Sequence, residues 1–129
     1  MNHVEIVANT FGLPYDSNDP GNQDWELFVA DSNRICDFLD GFNLLPTTAS
    51  RHVLIEVLLA SFEEAELAGT LNNTEWLRFW ALIGSEIESC RHLLAYWTQL
   101  PSIGHLVLEQ LRKVGYSVAE DHLSLYRPR

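Results

Sequence analysis

Basic residues are scarce in this 129-residue chain. It has eight Lys and Arg against eighteen Asp and Glu, a formal net charge of −10. Because affinity for nucleic-acid phosphates and for anionic membrane surfaces is built from Lys and Arg, we expect direct binding to neither. The longest apolar run, residues 53–60, is interrupted by Glu56 and is too short to cross a membrane. The first residues lack the basic start and unbroken apolar stretch of a signal peptide, which favours a cytoplasmic protein.

Cysteines and catalytic motifs are also few. The two cysteines, Cys36 and Cys90, match no metal or redox spacing, and both fall on predicted apolar helix faces, where buried reduced thiols are expected. The chain has no Gly-x-Ser-x-Gly, Ser-x-x-Lys or glycine-rich phosphate loop. It also lacks the Glu-x-x-His pairs of a helical di-iron site and the His-Glu-x-x-His of a zinc protease. The sequence therefore predicts no catalytic residue, no metal site and no cofactor.

What is abundant is apolar sequence at helical spacing. An apolar content of 47% with 20% charged residues is typical of a folded domain. We predict a single mainly α domain over residues 1–129, built as a bundle of about four helices. A strand and loop over residues 1–24 precede a helical core over 25–114, and an extended tail covers 115–129. Residues 4–8 alternate weakly, so they could pair with the tail in a small β element.

Caps and stops bound the four predicted helices. The first covers residues 25–40, capped by Asp24 and stopped by Gly41 in the left-handed conformation. The second begins after Pro46, with Thr47, Thr48 or Ser50 as cap, and ends near Gly69. The third extends from a Thr74 cap to Pro101, and the fourth covers residues 102–114, with Gly115 as its stop.

The third predicted helix carries a continuous apolar seam. Its members recur at alternating steps of four and three residues: Trp76, Trp80, Ile83, Ile87, Cys90, Leu94 and Trp97. Such a seam is typical of a helix packed against others in the same chain, and a dimer interface through the same pattern is the alternative. Trp25 is expected to cover one end of the core.

Several polar residues on these helices could carry chemistry. His52 with Glu56, and Glu88 with His92, are each four residues apart on one helix face, which indicates polar contacts. Glu56 lies in an apolar run, where a buried carboxylate needs a partner such as His52 or an arginine. These four residues would be the first ligands of a metal-dependent enzyme. The acids Glu63, Glu64 and Glu66 indicate a solvated face.

The acidity is concentrated in the first third of the chain. Residues 1–40 hold eight acids and one base, which gives −7 of the total charge. On the first predicted helix, Leu27 and Phe38 point away from the face that carries Phe28, Cys36 and the other apolar residues. Acids beside exposed apolar side chains would steer and then anchor a basic partner. The predicted partner-binding residues are Asp16, Asp19, Glu26, Leu27, Asp31, Asp37, Phe38 and Asp40.

In size, charge and lack of catalytic groups, the chain resembles bacterial immunity proteins and antitoxins. The resemblance covers the whole chain and rests on no aligned motif. It implies a small binding protein that neutralises a basic partner, often a nuclease toxin, as a monomer or homodimer. The alternatives are a self-associating structural or adaptor domain, a metal-dependent helical enzyme and, on the charge alone, a DNA mimic.

Overall fold

The computed structural model describes residues 2–16, 18, 24–119 and 125–127. In these ranges the chain is mainly helical, as predicted, but it forms seven α-helices instead of four and so differs from the simple bundle expected. The α-helices are α1 (His3–Phe11), α2 (Trp25–Val29), α3 (Ile35–Gly41), α4 (Thr48–Leu67), α5 (Asn73–Ile83), α6 (Arg91–Trp97) and α7 (Gly104–Lys113). Single 3-10 turns cover Phe42–Leu44 and Gly84–Glu86, and two short strands are β1 (Ser117–Val118) and β2 (Leu125–Tyr126). None of the helices in the described ranges has the length and hydropathy that a membrane crossing requires.

The predicted N-terminal strand is wrong, because residues 3–11 form α1. The Asn2 side chain accepts a hydrogen bond from Glu5 N, and Gly12 ends the helix with a φ of 66°. The apolar residues Val4, Val7 and Phe11 recur at helical spacing, and Val7 is buried. The weak alternation in residues 4–8, on which the strand prediction rested, covers a shorter segment than this helical pattern.

Helix α4 lies at the centre of the fold, as its apolar sequence predicted. Thr47 and Ser50 form a reciprocal capping box at its start. Ten of its twenty residues are buried, and α1, α2 and α3 all pack against it. The second predicted helix is thus confirmed in both its position and its central place.

The first predicted helix is broken into α2 and α3. Ala30 leaves the helical region with a ψ of 138°, and the Asp31 backbone N–H donates to the Ser61 hydroxyl on α4 at 3.0 Å. The Asp31 side chain accepts from Asn33 N at 2.9 Å, which closes the intervening turn. No cap hydrogen bond comes from the Asp24 side chain, in contrast to the prediction.

Gly41 has a different role from the left-handed stop that was predicted. Its φ of −92° is accessible to any residue, and the chain continues from it into a 3-10 turn. A Cβ atom at this position would lie 2.4 Å from Cε1 of Phe11. A side chain here would displace the Phe11 ring, so glycine allows α1 to pack closely against α3.

The third predicted helix is also interrupted. It becomes α5, the Gly84–Glu86 turn and α6, and α5 is capped by Asn72 in place of Thr74. At the interruption, Glu86 is buried and pairs with Arg51 of α4 through a 2.9 Å contact between Oε1 and Nε. All seven seam residues are nevertheless buried within the chain. The seam is therefore part of the core, as one of its two interpretations predicted, and does not form an exposed dimer face.

The C-terminal segment forms a small antiparallel sheet with itself. Ser117 pairs with Tyr126 and Val118 with Leu125. The predicted pairing of this tail with residues 4–8 is wrong, because those residues belong to α1. Gly115, with a φ of 92°, follows α7 as the predicted left-handed stop.

Candidate partner-binding site

The break between α2 and α3 rearranges the apolar residues of the predicted site. Leu27 is 54% exposed, as predicted, but Phe28, which was assigned to the core, is 71% exposed. Phe38 is fully buried, and Cys36, also assigned to the core, is exposed. Because residues 30–34 are not helical, α3 is rotated about its axis relative to a continuation of α2. A helical projection of residues 25–40 as one continuous helix therefore assigns these side chains to the wrong faces.

Phe38 is a core residue and lies out of reach of a partner, which corrects its assignment as an anchor. Its ring meets that of Phe11 edge to face, with centroids 5.3 Å apart. The Arg34 guanidinium lies 5.3 Å from its centroid and also donates to the Phe11 carbonyl. These contacts join α1 to α3.

The predicted acidic residues fall into two groups, and those on α3 are paired with bases. Asp37 Oδ2 lies 3.4 Å from Arg34 Nε, and Asp40 Oδ1 accepts from Arg78 Nη2 at 2.6 Å. The bond to Asp40 raises the pKa of Arg78 above its ordinary value. Because each carboxylate has a neighbouring cation, this side of the predicted site attracts a basic partner less than its sequence suggested.

The second group surrounds α2. Asp16 is exposed and its Oδ1 accepts from Asn18 N at 2.8 Å, while Asp24 and Glu26 lie at the start of the helix and Asp31 follows its end. Among the described residues, no Lys, Arg or His forms an ion pair with Asp16 or Asp31. Asp19 was also predicted to bind the partner and lies outside the described residues. Within the described residues, Asp16 and Asp31 beside α2 therefore have no neighbouring cation in an ion pair, in contrast to Asp37 and Asp40 on α3.

Glu26 and Glu56 form a half-buried acidic pair between α2 and α4. Burial raises the pKa of Glu26, and the negative charge of Asp24 raises it further. A hydrogen bond to the backbone of Glu26 partly offsets these two effects. Burial, together with the charge of Glu26, raises the pKa of Glu56 to about 7. The charged neighbour of Glu56 is therefore another acid, where His52 or an arginine was expected.

An open groove lies between residues 14–16 and α2. It has a volume of about 360 Å³ and is lined by Pro14, Tyr15, Asp16, Trp25 and Phe28. The Trp25 indole N–H donates to the Pro14 carbonyl at 2.9 Å, and Asn2 Nδ2 donates to the Tyr15 hydroxyl at 2.6 Å. These bonds hold two of the three aromatic rings in place. Sequence reasoning missed Tyr15 and Phe28, although an aromatic residue within a run of turn-formers was a usable signal.

The four residues proposed as metal ligands are not brought together. His52 Nε2 lies 3.2 Å from the Ser89 hydroxyl, and burial lowers the His52 pKa. Glu88 accepts hydrogen bonds from Arg91 and from the Tyr116 hydroxyl. Over the ranges that the structure describes, no three His, Cys, Asp or Glu side chains are grouped so that they could hold a metal ion.

Two acids of α4 that were assigned to a solvated face also bond to other elements of the fold: Glu64 is exposed, as predicted, whereas Glu63 is half-buried. Glu63 accepts hydrogen bonds from the backbone N–H groups of Ser102 and Ile103, the latter at 2.8 Å. Glu64 accepts from Ser32 N at 3.2 Å, in the turn between α2 and α3. Both carboxylates accept hydrogen bonds from backbone N–H groups that lie in turns and have no acceptor within a helix or strand.

Comparison of the chain with models of protein families, with curated proteins and with solved structures gives no match in any of the three.

Proposed function

We propose that this chain is a small acidic binding protein that inhibits a basic protein partner, as immunity proteins and antitoxins do. The observation that carries the proposal is the exposure of Leu27 and Phe28 on one short helix within the most acidic part of the chain. Two adjacent large apolar side chains, each more than half exposed, cost solvation free energy unless something covers them.

The acids around these side chains indicate the charge of the partner. Acidic residues steer a basic protein over distances comparable to the Debye length, about 8 Å at physiological salt. Apolar and aromatic side chains then anchor the complex once water is excluded. Charge therefore sets the rate of association, and Leu27 and Phe28 set the rate of dissociation.

Inhibition follows from occlusion in this proposal. A toxin that acts on nucleic acid must present Lys and Arg to phosphates, and an acidic protein seated on that surface blocks access to it. A cytoplasmic location belongs to the same proposal, because an exposed thiol such as Cys36 stays reduced there.

Capture of the partner with two matched variants tests the proposal. Tagged wild-type protein, Phe28→Ser and Leu67→Ser are incubated with extract from the native host, and the retained protein is identified and produced in pure form. Leu67 is 78% exposed, is the last residue of α4 and does not line the groove beside α2, so its variant removes a comparable apolar surface outside α2.

We expect the wild type and Leu67→Ser to retain the same basic protein, and Phe28→Ser not to retain it. The activity of that basic protein should fall when the purified wild type is added. An acidic partner, equal retention by all three proteins, or a partner that stays active in the complex would contradict the proposal. Light scattering of the purified chain addresses the alternative of self-association. A dimer that Phe28→Ser dissociates would mean that this surface binds a second copy.

A further inference from the structure

The groove beside α2 has the composition of a site for a cationic side chain. Three aromatic residues line it together with Asp16: Tyr15, Phe28 and the largely buried Trp25. Aromatic faces attract cations through the negative potential of the ring, most strongly where several rings surround the charge. A carboxylate at the same site adds a hydrogen-bonding acceptor and a full negative charge.

We propose that this groove receives one arginine side chain of the basic partner, with its guanidinium against the aromatic rings and hydrogen-bonded to Asp16. The inference rests on the proposed function and specifies how the partner is recognised. It concerns one defined position in the interface, whereas the steering by the surrounding acids involves the whole surface.

The groove is organised before any partner arrives. The indole of Trp25 is tied to the Pro14 carbonyl, and the Tyr15 hydroxyl is tied to Asn2 of the segment that begins α1. Asp16 Oδ1 accepts from Asn18 N at 2.8 Å, which orients the carboxylate, and no donor among the described residues bonds to its Oδ2. Groups held in position in the unbound protein lose little conformational entropy when they bind.

The chemistry favours arginine over lysine. A guanidinium is planar, stacks on aromatic rings and presents several N–H donors to a carboxylate, whereas an ammonium is a compact and strongly hydrated point charge. The volume of about 360 Å³ is at the lower end of the range for ligand pockets and suits one side chain better than a large molecule.

Titration with capped amino acids tests the proposal without any partner. The probes are N-acetyl-arginine methylamide, the corresponding lysine and trimethyllysine compounds, and the citrulline compound, which has nearly the shape of arginine but no charge. The readout is the indole N–H signals of the four tryptophans in a ¹H–¹⁵N correlation spectrum. Trp25 lies in the groove, while Trp76 and Trp97 are buried elsewhere and act as internal controls.

We expect the arginine probe to shift the Trp25 signal with a Kd on the order of millimolar, since a single side chain makes few contacts. Binding of the citrulline probe should be about tenfold weaker. Asp16→Asn, which retains the acceptor for Asn18 N, should weaken arginine binding about fivefold. Phe28→Leu should weaken it by a similar factor because it removes an aromatic face. Phe28 is exposed, so this variant should keep its fold, which circular dichroism verifies, and Leu67→Ser should bind as the wild type does.

Equal binding of the citrulline and arginine probes would overturn the proposal, as would equal or tighter binding of either lysine probe. So would arginine binding that is unchanged in Phe28→Leu. Failure of the titration is distinct from failure of the proposed function. If the wild type captures a basic inhibited partner but does not bind the arginine probe, only the groove assignment is wrong. If it binds the probe but captures no basic partner, the proposed function is wrong.

Discussion

Replacement of Glu56 by glutamine should stabilise the protein above neutral pH. Glu56 lies on the central helix α4, half-buried and beside the carboxyl group of Glu26. Burial and this second acid raise its pKa from the ordinary value of 4.5 to about 7. Glutamine has nearly the same shape and can hydrogen-bond, but it carries no charge to be desolvated or repelled.

The sign and size of the effect follow from the pKa of Glu56. Below the pKa of an unfolded glutamate, about 4.3, the group is protonated in both states and costs nothing. As the pH rises towards 7, the unfolded chain loses the proton and the native state retains it, so the free energy of unfolding falls. The complete shift corresponds to about 3 kcal/mol. Because the side chain is partly exposed, solvent screens the charge, and we expect about 1 to 2 kcal/mol.

Urea unfolding of the wild type and of Glu56→Gln at pH 5, 6, 7 and 8 measures this effect. The variant should gain about 1 to 2 kcal/mol over the wild type between pH 5 and pH 8, with an unchanged slope against urea concentration. Glu66→Gln, which removes one charge from the same helix, provides the control. If the difference between the wild type and Glu56→Gln stayed constant with pH, the assignment of a half-buried acidic pair between α2 and α4 would be refuted.

Three further predictions concern the packing and the thiols. Gly41→Ala should lower the free energy of unfolding by about 1 to 3 kcal/mol, because its methyl group would overlap a phenylalanine ring of α1. Gly84→Ala, whose added Cβ would meet no side chain or distant backbone atom within 4 Å, should be neutral or stabilising by up to about 1 kcal/mol, and equal thermal shifts in the two variants would contradict this packing. Arg51→Met should cost about 2 to 3 kcal/mol in urea unfolding, because it leaves a buried carboxylate without its cation, and a cost below about 0.5 kcal/mol would contradict that role. A thiol reagent such as DTNB should modify Cys36 rapidly in the native protein, while Cys90, buried and with its pKa raised by burial to about 12, should react only on unfolding. Two equally fast thiols would contradict the burial of Cys90.

The parts of the fold that could be predicted are those encoded by neighbouring residues. Helix α4 has a capping box at one end and an apolar sequence that only a central helix can bury. Gly115 stops α7 because its backbone conformation suits glycine, whatever lies around it. The seam residues of α5 and α6 are buried as expected, since their spacing keeps them on the inner side even across the interruption at Gly84.

The parts that could not be predicted depend on residues far apart in the chain. The turn between α2 and α3 is stabilised by a hydrogen bond from Asp31 to Ser61, thirty residues away, although Asp-Ser-Asn in that turn was a local signal for the end of a helix. Because this turn was not predicted, Phe28 was assigned to the core and Phe38 to the surface, whereas the structure shows the reverse. The close approach of Phe11 to Gly41 has no local signature at all.

The same distinction applies to the candidate site. Its location near the acidic start of the chain followed from the distribution of charge, and the exposure of Leu27 followed from helical spacing. The pairing of Asp37 and Asp40 with arginines, and the groove formed by Tyr15, Trp25 and Phe28, depend on how α1, α2, α3 and α5 pack together.

The kinetics of the complex at two salt concentrations test most directly the claim that the α2 surface recognises a basic partner. The captured partner is mixed with the wild type and with Phe28→Ser at 50 and 300 mM NaCl, and association and dissociation rates are measured. We predict that the association rate of the wild type falls about tenfold or more at the higher salt, because screening weakens steering. Phe28→Ser should associate at a similar rate but dissociate at least tenfold faster. An association rate that is insensitive to salt, or a dissociation rate unchanged in Phe28→Ser, would contradict the claim.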